Sequence, residues 1–307
     1  MKSSRIGVVA AGLLCLAAGH AGSSGGTVEF GSDVEEFIRA ARASKVPDAS
    51  WMVPVWEVGE NDSQAGKPGV PVEWVSFNRG KFTMGSDDDG KSFTTAKPTH
   101  EVTIEAFDMS KTLVTTEQYK ECVIQLRCTE PDTGSYCNWE QEGRQRHPIN
   151  CVDWDQANQY AEFQGARLPS ESEWEYAAMS AGKRRKYPWG DGDANCDNAV
   201  MYGCVRGVGT MPVGSKPAGD TIEGLSDMVG NVWQWVGDMW HDSYAGAPTD
   251  GGAWQDEDTG SGPRRRVIRG GSFYSKDANF LRVEYRGRSG AWLRSPLTGF
   301  RLARSSR

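Results

Sequence analysis

The hydrophobic positions fall into two rhythms. From Val72 to Met84 apolar and polar residues alternate closely enough to predict two short strands. Asn78-Arg79-Gly80 between them reads as a hairpin turn. Val102, Ile104 and Phe107 continue in strand fashion. The rhythm then turns helical. Thr115 with Gln118 forms a capping box that opens a helix through about Leu126. Asp153 caps a second helix, with Ala157, Tyr160 and Ala161 on one face and Gly165 as its stop. Ser170 with Glu173 makes another capping box, followed by Trp174, Ala177 and Ala178 on one side. After Gly182 periodicity fades, and Gly, Asp, Asn and Trp dominate through Gly262. Such a region must be held by side-chain packing and cross-links more than by ladders. The pattern is α+β with low regular secondary structure and no internal repeat.

The first 70 residues differ from the rest. Met1–Ala21 reads as a secretory signal: Lys2 and Arg5, an apolar run from Ile6 to Ala18, then Gly19-His20-Ala21 as a small-x-small cleavage site. Thirteen apolar residues are short for a bilayer span. Residues 22–70 read as an extension and linker. Val34, Phe37, Ile38 and Ala41 share a helical face there, and Val53, Val55, Trp51 and Trp56 are expected to pack on the main domain, which runs over 71–304.

Charge narrows the partners. The 307 residues carry 34 basic and 41 acidic side chains, a net of −7. Without Lys2 and Arg5 the net is about −9. Such a surface repels nucleic acid. The basic runs 183–186 and 264–266 are short enough to be solvated loop faces.

Six of the seven cysteines lie beyond the signal: Cys122, Cys128, Cys137, Cys151, Cys196 and Cys204. An even count in an exported protein predicts disulfides. Fifteen pairings exist, of which neighbour pairing is the simplest. Cys122 and Cys128 would sit roughly 9 Å apart along a continuous helix, so their bridge requires the helix to end near Leu126. None of the six has the Cys-x-x-Cys spacing of structural zinc.

Seven motifs occur in order: 80–86 (GKFTMGS), 147–150 (HPIN), 167–178 (RLPSESEWEYAA), 187–191 (YPWGD), 227–235 (DMVGNVWQW), Arg269-Gly270-Gly271-Ser272, and Gly299-Phe300-Arg301. Together they closely resemble the formylglycine-generating enzyme family, the sulfatase-modifying-factor domain. The resemblance implies a compact C-type-lectin-like fold with bound calcium. Its founding enzymes oxidise a sulfatase cysteine with copper(I) and oxygen. Their two copper-binding cysteines sit three and eight positions after the serine of the Gly-Gly-Ser segment. Here those positions are Ser275 and Phe280. A hydroxyl cannot replace a thiolate for soft copper(I), and a phenyl ring offers no donor. Copper oxidase chemistry is therefore not expected.

The family's iron-dependent sulfoxide synthases use three histidines. Here His100, His147 and His241 remain after the signal, without paired helical spacing, so each reads as structural. The resemblance also implies a calcium site made of Asp227, the carbonyls of Gly230 and Val232, and Gln234. Gln234 stands where glutamate is usual, which lowers the site's charge. The other reading of this segment is a glycine turn braced by Asp227. A second family calcium site near Asn195–Val205 cannot be matched. No Gly-x-Ser-x-Gly elbow is followed by suitable Asp and His partners, and no phosphate-binding Gly-x-x-x-x-Gly-Lys loop is present. The acidic positions Asp238, Asp242, Asp250, Asp256, Glu257 and Asp258 read as a solvated loop.

Three functions follow. The first is an exported (periplasmic or secreted), calcium-stabilised binding or accessory module that holds a peptide or small ligand in a groove beside Ser272. Ser272, Ser275, Trp233 and Arg282 are its candidate residues. The second is an enzyme of altered chemistry in the maturation of a siderophore, peptide or modified amino acid. The third is an active formylglycine-generating oxidase, which the missing thiols disfavour. Oligomeric state is not legible.

Overall fold

A computed structural model describes residues 70–205, 209–255 and 264–306. The signal, the extension helix, the Trp51 and Trp56 contacts, and Asp256, Glu257 and Asp258 lie outside the described residues. Within them, three sheets and three α-helices surround an apolar core. Strands β1 (Trp74–Phe77), β4 (Phe107–Ser110) and β9 (Ala303–Ser305) form one antiparallel sheet in the order β1-β4-β9. Strands β2 (Gly80–Met84) and β3 (His100–Ile104) form a two-stranded ribbon. The third sheet runs β7-β6-β5-β8, with β5 (Trp233–Met239), β6 (Arg265–Arg269), β7 (Arg286–Gly290) and β8 (Thr298–Phe300). In it only the β5–β8 pair is parallel.

The two strands expected between Val72 and Met84 exist, but they do not form a hairpin. β1 pairs with β4 and β2 with β3, so Asn78-Arg79 turns the chain from one sheet to another. Periodicity reports that a residue pair is extended, not which neighbour it meets. A second correction concerns the stretch after Gly182, where the sequence shows little regularity. β5 lies inside it, at the centre of the third sheet, because Trp235 and Val236 are buried on both sides of the strand. A strand covered on both faces loses the alternation that would announce it. The Gly270-Gly271-Ser272 segment lies just beyond this sheet. The strand β6 ends at Arg269 before these residues, and turns follow them.

The helices obey their caps. α1 (Thr116–Ile124), α2 (Trp154–Phe163) and α3 (Glu171–Ala178) each begin with a reciprocal capping box, from Thr115–Gln118, Asp153–Gln156 and Ser170–Glu173. α1 stops two residues short of Leu126, which turns left-handed at φ 56°. That early end brings the Cys122 and Cys128 Cα atoms to 5.3 Å and allows their bridge. Cys137–Cys151 and Cys196–Cys204 complete the neighbour pairing.

α3 is the unusual helix. All eight of its residues are buried, including Glu171, Glu173 and Glu175. A buried carboxylate is tolerated only when paired and hydrogen-bonded. Each glutamate has its own arginine. Arg286 reaches Glu171 through two bonds of 2.7 and 2.9 Å. Arg167 grips Glu173 through two of 2.6 Å. Arg269 donates to Glu175, whose other oxygen accepts from the Gly85 amide at 2.7 Å. This network ties α3 to β2, β6 and β7 and so fixes where β6 delivers Gly270.

Candidate functional site

Arg269 is wholly buried, and the chain leaves it through two glycines at φ 93° and 73°. Both approaches are too close for a side chain. A Cβ on Gly271 would lie 2.9 Å from the Phe280 carbonyl and 2.7 Å from Leu281. The next residues close on themselves. The Ser272 amide donates to Ser275 Oγ at 3.0 Å, and the Ser275 amide donates back to the Ser272 carbonyl at 3.0 Å. The Tyr274 amide completes the turn by donating to Ser272 Oγ at 3.3 Å.

The structure therefore brings Ser272 and Ser275 together, but at 1% and 5% exposure with their hydroxyls already accepting, they brace the turn. Arg282 is likewise occupied. It donates to Asp88 at 2.6 Å and to Glu284 at 3.3 Å, and its guanidinium stacks 4.1 Å over Phe93. Trp233 is half-buried and joins an aromatic cluster centred on Tyr285, which Arg282 adjoins through Phe93. The Tyr285 ring lies 5.9 Å from Trp233, 5.0 Å from Phe280 and 6.2 Å from Phe93. Phe280, Tyr285 and Trp233 each keep part of their surface in solvent. Tyr285 and Phe93 are absent from the sequence-based candidates. They lie 52 and 140 positions from Trp233, with no motif to join them.

Both positions that hold copper thiolates in the resembled enzymes are thus built differently. Ser275 Oγ accepts a backbone hydrogen bond, and the Phe280 ring meets Tyr285 edge-on. The six cysteines among the described residues are all bridged, so none of them offers a thiolate.

The segment expected to wrap calcium is organised around the Gln234 amide. Trp174 Nε1 and Arg301 Nε can only donate, and both point at Gln234 Oε1, at 2.9 and 2.7 Å. The Asp227 and Met228 carbonyls can only accept, and both receive Gln234 Nε2, at 3.0 and 2.8 Å. All four hydrogen-bonding positions of this amide are filled. Arg301, fully buried, also donates to the carbonyls of Ser110, Ser226 and Asp227. As arranged, Gln234 has no lone pair left for a cation and does not fit the expected ligand set. Asp227 is buried at φ 53° and accepts from the Gly214 amide at 2.7 Å. Burial pushes its carboxyl up, while that amide and the Arg301 charge pull it down. Gly230 donates to the Gly270 carbonyl at 2.8 Å, linking this turn to the Gly-Gly-Ser segment. The Val232 side chain packs with Leu113 and Val213.

The histidines occupy separate places. His147 is buried beside Arg144 and Thr210. His100 packs on Tyr244, and His241 stacks on Trp254 at 3.5 Å. Asp238 is also not part of a solvated loop. It is buried, accepting from the Glu171 and Trp254 amides at 2.7 Å each. Burial and the neighbouring Glu171 charge push it up to about 8, against the pull of those two amides.

Residues 61–306 match the model of the sulfatase-modifying factor enzyme 1-like domain. The chain belongs to the sulfatase-modifying factor family. Within this family it is 30% identical over 279 residues to hercynine oxygenase of Mycolicibacterium smegmatis, covering 78% of this chain and 63% of that protein. It is 36% identical over 179 residues to the formylglycine-generating enzyme of Streptomyces coelicolor, covering 52% and 54% respectively. The chain thus spans less than two thirds of these relatives. Among solved structures, PvdO from Pseudomonas aeruginosa superposes with a TM-score of 0.65 at 30% identity, over 78% of this chain and 100% of PvdO.

Proposed function

We propose that this sulfatase-modifying factor relative holds a peptide or small ligand against the aromatic cluster of Trp233, Phe280 and Tyr285, as a binding or accessory module without the copper oxidase reaction. The observation that carries this reading is Phe280. Where a thiolate would bind copper(I), a phenyl ring instead extends an aromatic wall with Tyr285 and Trp233. Half-exposed aromatic surfaces suit flat or apolar ligand groups and add about 0.5–1.5 kcal/mol per stacked pair beyond area burial. Export is part of the same reading. Three disulfides are compatible with an oxidising compartment, and among the described residues no helix is long and apolar enough to cross a membrane.

Calcium enters in reduced form. Asp227 with the Gly230 and Val232 carbonyls leaves three donors where calcium takes six to eight. Any calcium effect on stability is accordingly expected to be small. The second reading, an enzyme of altered chemistry in maturation of a siderophore, peptide or modified amino acid, is favoured by the match over the full PvdO chain and by the hercynine oxygenase relatives.

The deciding experiment uses the purified mature protein with copper(I), oxygen and a Cys-x-Pro-x-Arg peptide. No aldehyde and no stoichiometric copper(I) site are expected. Formation of the aldehyde would overturn the proposal. Loss of peptide or ligand binding in Trp233→Ala, with an unchanged melting temperature, would support the aromatic wall.

A further inference from the structure

We infer that the cleft between the Cys137–Cys151 loop and Gly209 is a binding subsite for an amino-acid-sized ligand bearing a carboxylate, read by the Arg144 guanidinium beside the Tyr136 ring. The cleft has a volume of about 310 Å³ and is bordered by Gly134, Tyr136, Asn138, Arg144 and Gly209. That is the lower end of ligand-pocket volumes and suits a single residue-sized group.

Arg144 is held there by groups that do not neutralise it. Its Nη1 donates to His147 Nδ1 at 2.9 Å and to the Thr210 carbonyl at 3.2 Å. A guanidinium has no acceptor, so His147 Nδ1 must accept and its proton sits on Nε2. Burial, helped by the Arg144 charge, pushes His147 down to about 4, so the ring stays neutral and keeps this role at neutral pH. Among the described residues no carboxylate pairs with Arg144, in a chain whose net charge is −7. Arg144 and Gly209 both line the cleft, and Arg144 Nη2 lies 4.0 Å from where a Cβ on Gly209 would stand, so this nitrogen is on the Gly209 side.

Hydrogen bonds brace the walls. Asn138 donates to the Pro148 carbonyl at 2.8 Å and to Thr210 Oγ1 at 3.0 Å. The Tyr136 carbonyl accepts from Asn150 at 2.8 Å, while the residue as a whole is 52% exposed. A fixed guanidinium fork next to a flat ring is the geometry that receives a carboxylate through paired, charge-assisted hydrogen bonds. The Tyr136 ring also lies 6.4 Å from Phe273, the residue after Ser272, so the subsite flanks the Gly-Gly-Ser turn. It shares none of the residues of the Trp233 cluster, and either site can fail without the other.

The test is calorimetric titration of the mature protein with N-acetyl-L-tyrosine and, separately, with N-acetyl-L-tyrosinamide. The acid is expected to bind about tenfold more tightly, as a charge-assisted pair implies. Arg144→Gln should abolish that preference, while Arg146→Gln, a change at an exposed neighbour, should leave it intact. Tyr136→Asn tolerates the positive φ and should weaken the acid several-fold while keeping the preference. It carries the test if Arg144→Gln does not fold. Equal affinity for acid and amide, no binding of either at millimolar concentration, or a preference that survives Arg144→Gln would each overturn the inference.

Discussion

Two arginine neighbourhoods in this molecule both hold their guanidinium by hydrogen bonds and differ in outcome. Beneath α3, Arg269 and Arg286 are surrounded by Glu171, Glu175 and Tyr244, and every charge meets an opposite one away from water. At the Cys137–Cys151 loop, Arg144 is fixed by a neutral histidine and a carbonyl, and its charge faces a cleft. The first arrangement consumes its charges to hold strands and helix together. The second orients a charge and leaves it available. What separates a structural arginine from a ligand-reading one is the partner, not the residue or its burial alone.

The largest expected effect breaks the first neighbourhood. Arg269→Met leaves buried Glu175 without its cation and should lower stability by about 3–5 kcal/mol in chemical denaturation, or prevent folding. A change under 1 kcal/mol would mean the network is not what anchors α3. Next comes the Cys137–Cys151 bridge that frames the second neighbourhood. Its 14-residue separation predicts a loss of about 3 kcal/mol for the double serine variant.

The pH response sharpens the comparison. Burial pushes Glu175 up to about 7 from its ordinary 4.5, against the pull of Arg269. The folded state then holds a proton that the unfolded chain releases above about 4.5. The stability owed to this group is present at low pH and is lost as pH rises toward about 7. Glu175→Gln should flatten that part of the profile, and an unchanged slope would refute the assignment.

Gln234→Glu is the intermediate case. It removes both donors to the Asp227 and Met228 carbonyls and should cost about 2 kcal/mol without calcium. Calcium should restore the variant while barely moving the wild-type melting temperature. A large calcium shift in the wild type would return Gln234 to the ligand set. Smallest of all, Lys81→Ala, which removes the exposed pair with Glu101, should change stability by no more than about 1 kcal/mol.

These expectations show which features local sequence can carry. The capping boxes were legible because Thr115–Gln118 and Ser170–Glu173 interact with backbone three residues away. Neighbour disulfides were the simplest pairing for the same reason. β5 was not legible, since burial on both faces removes its alternation. Nor was the pairing of β4 with β1 and β9, the second of which joins Asp108 to Arg304, far apart in the chain. The candidate site was legible only in part. The motifs marked the Gly-Gly-Ser turn and the missing thiols, while Ser272, Ser275 and Arg282 proved to be engaged within the protein.

By itself the sequence determined the family, the α+β class, the helix starts and the absence of thiols at Ser275 and Phe280. Those rest on residue identity and on contacts within a turn or two. Only the tertiary structure decided that Gln234 is a saturated amide, that Tyr285 gathers Phe93, Trp233 and Phe280, and that Arg144 borders a cleft. Each of these depends on which distant groups share a few ångströms, and hydrogen bonds, ring contacts and charge pairing act only at that range.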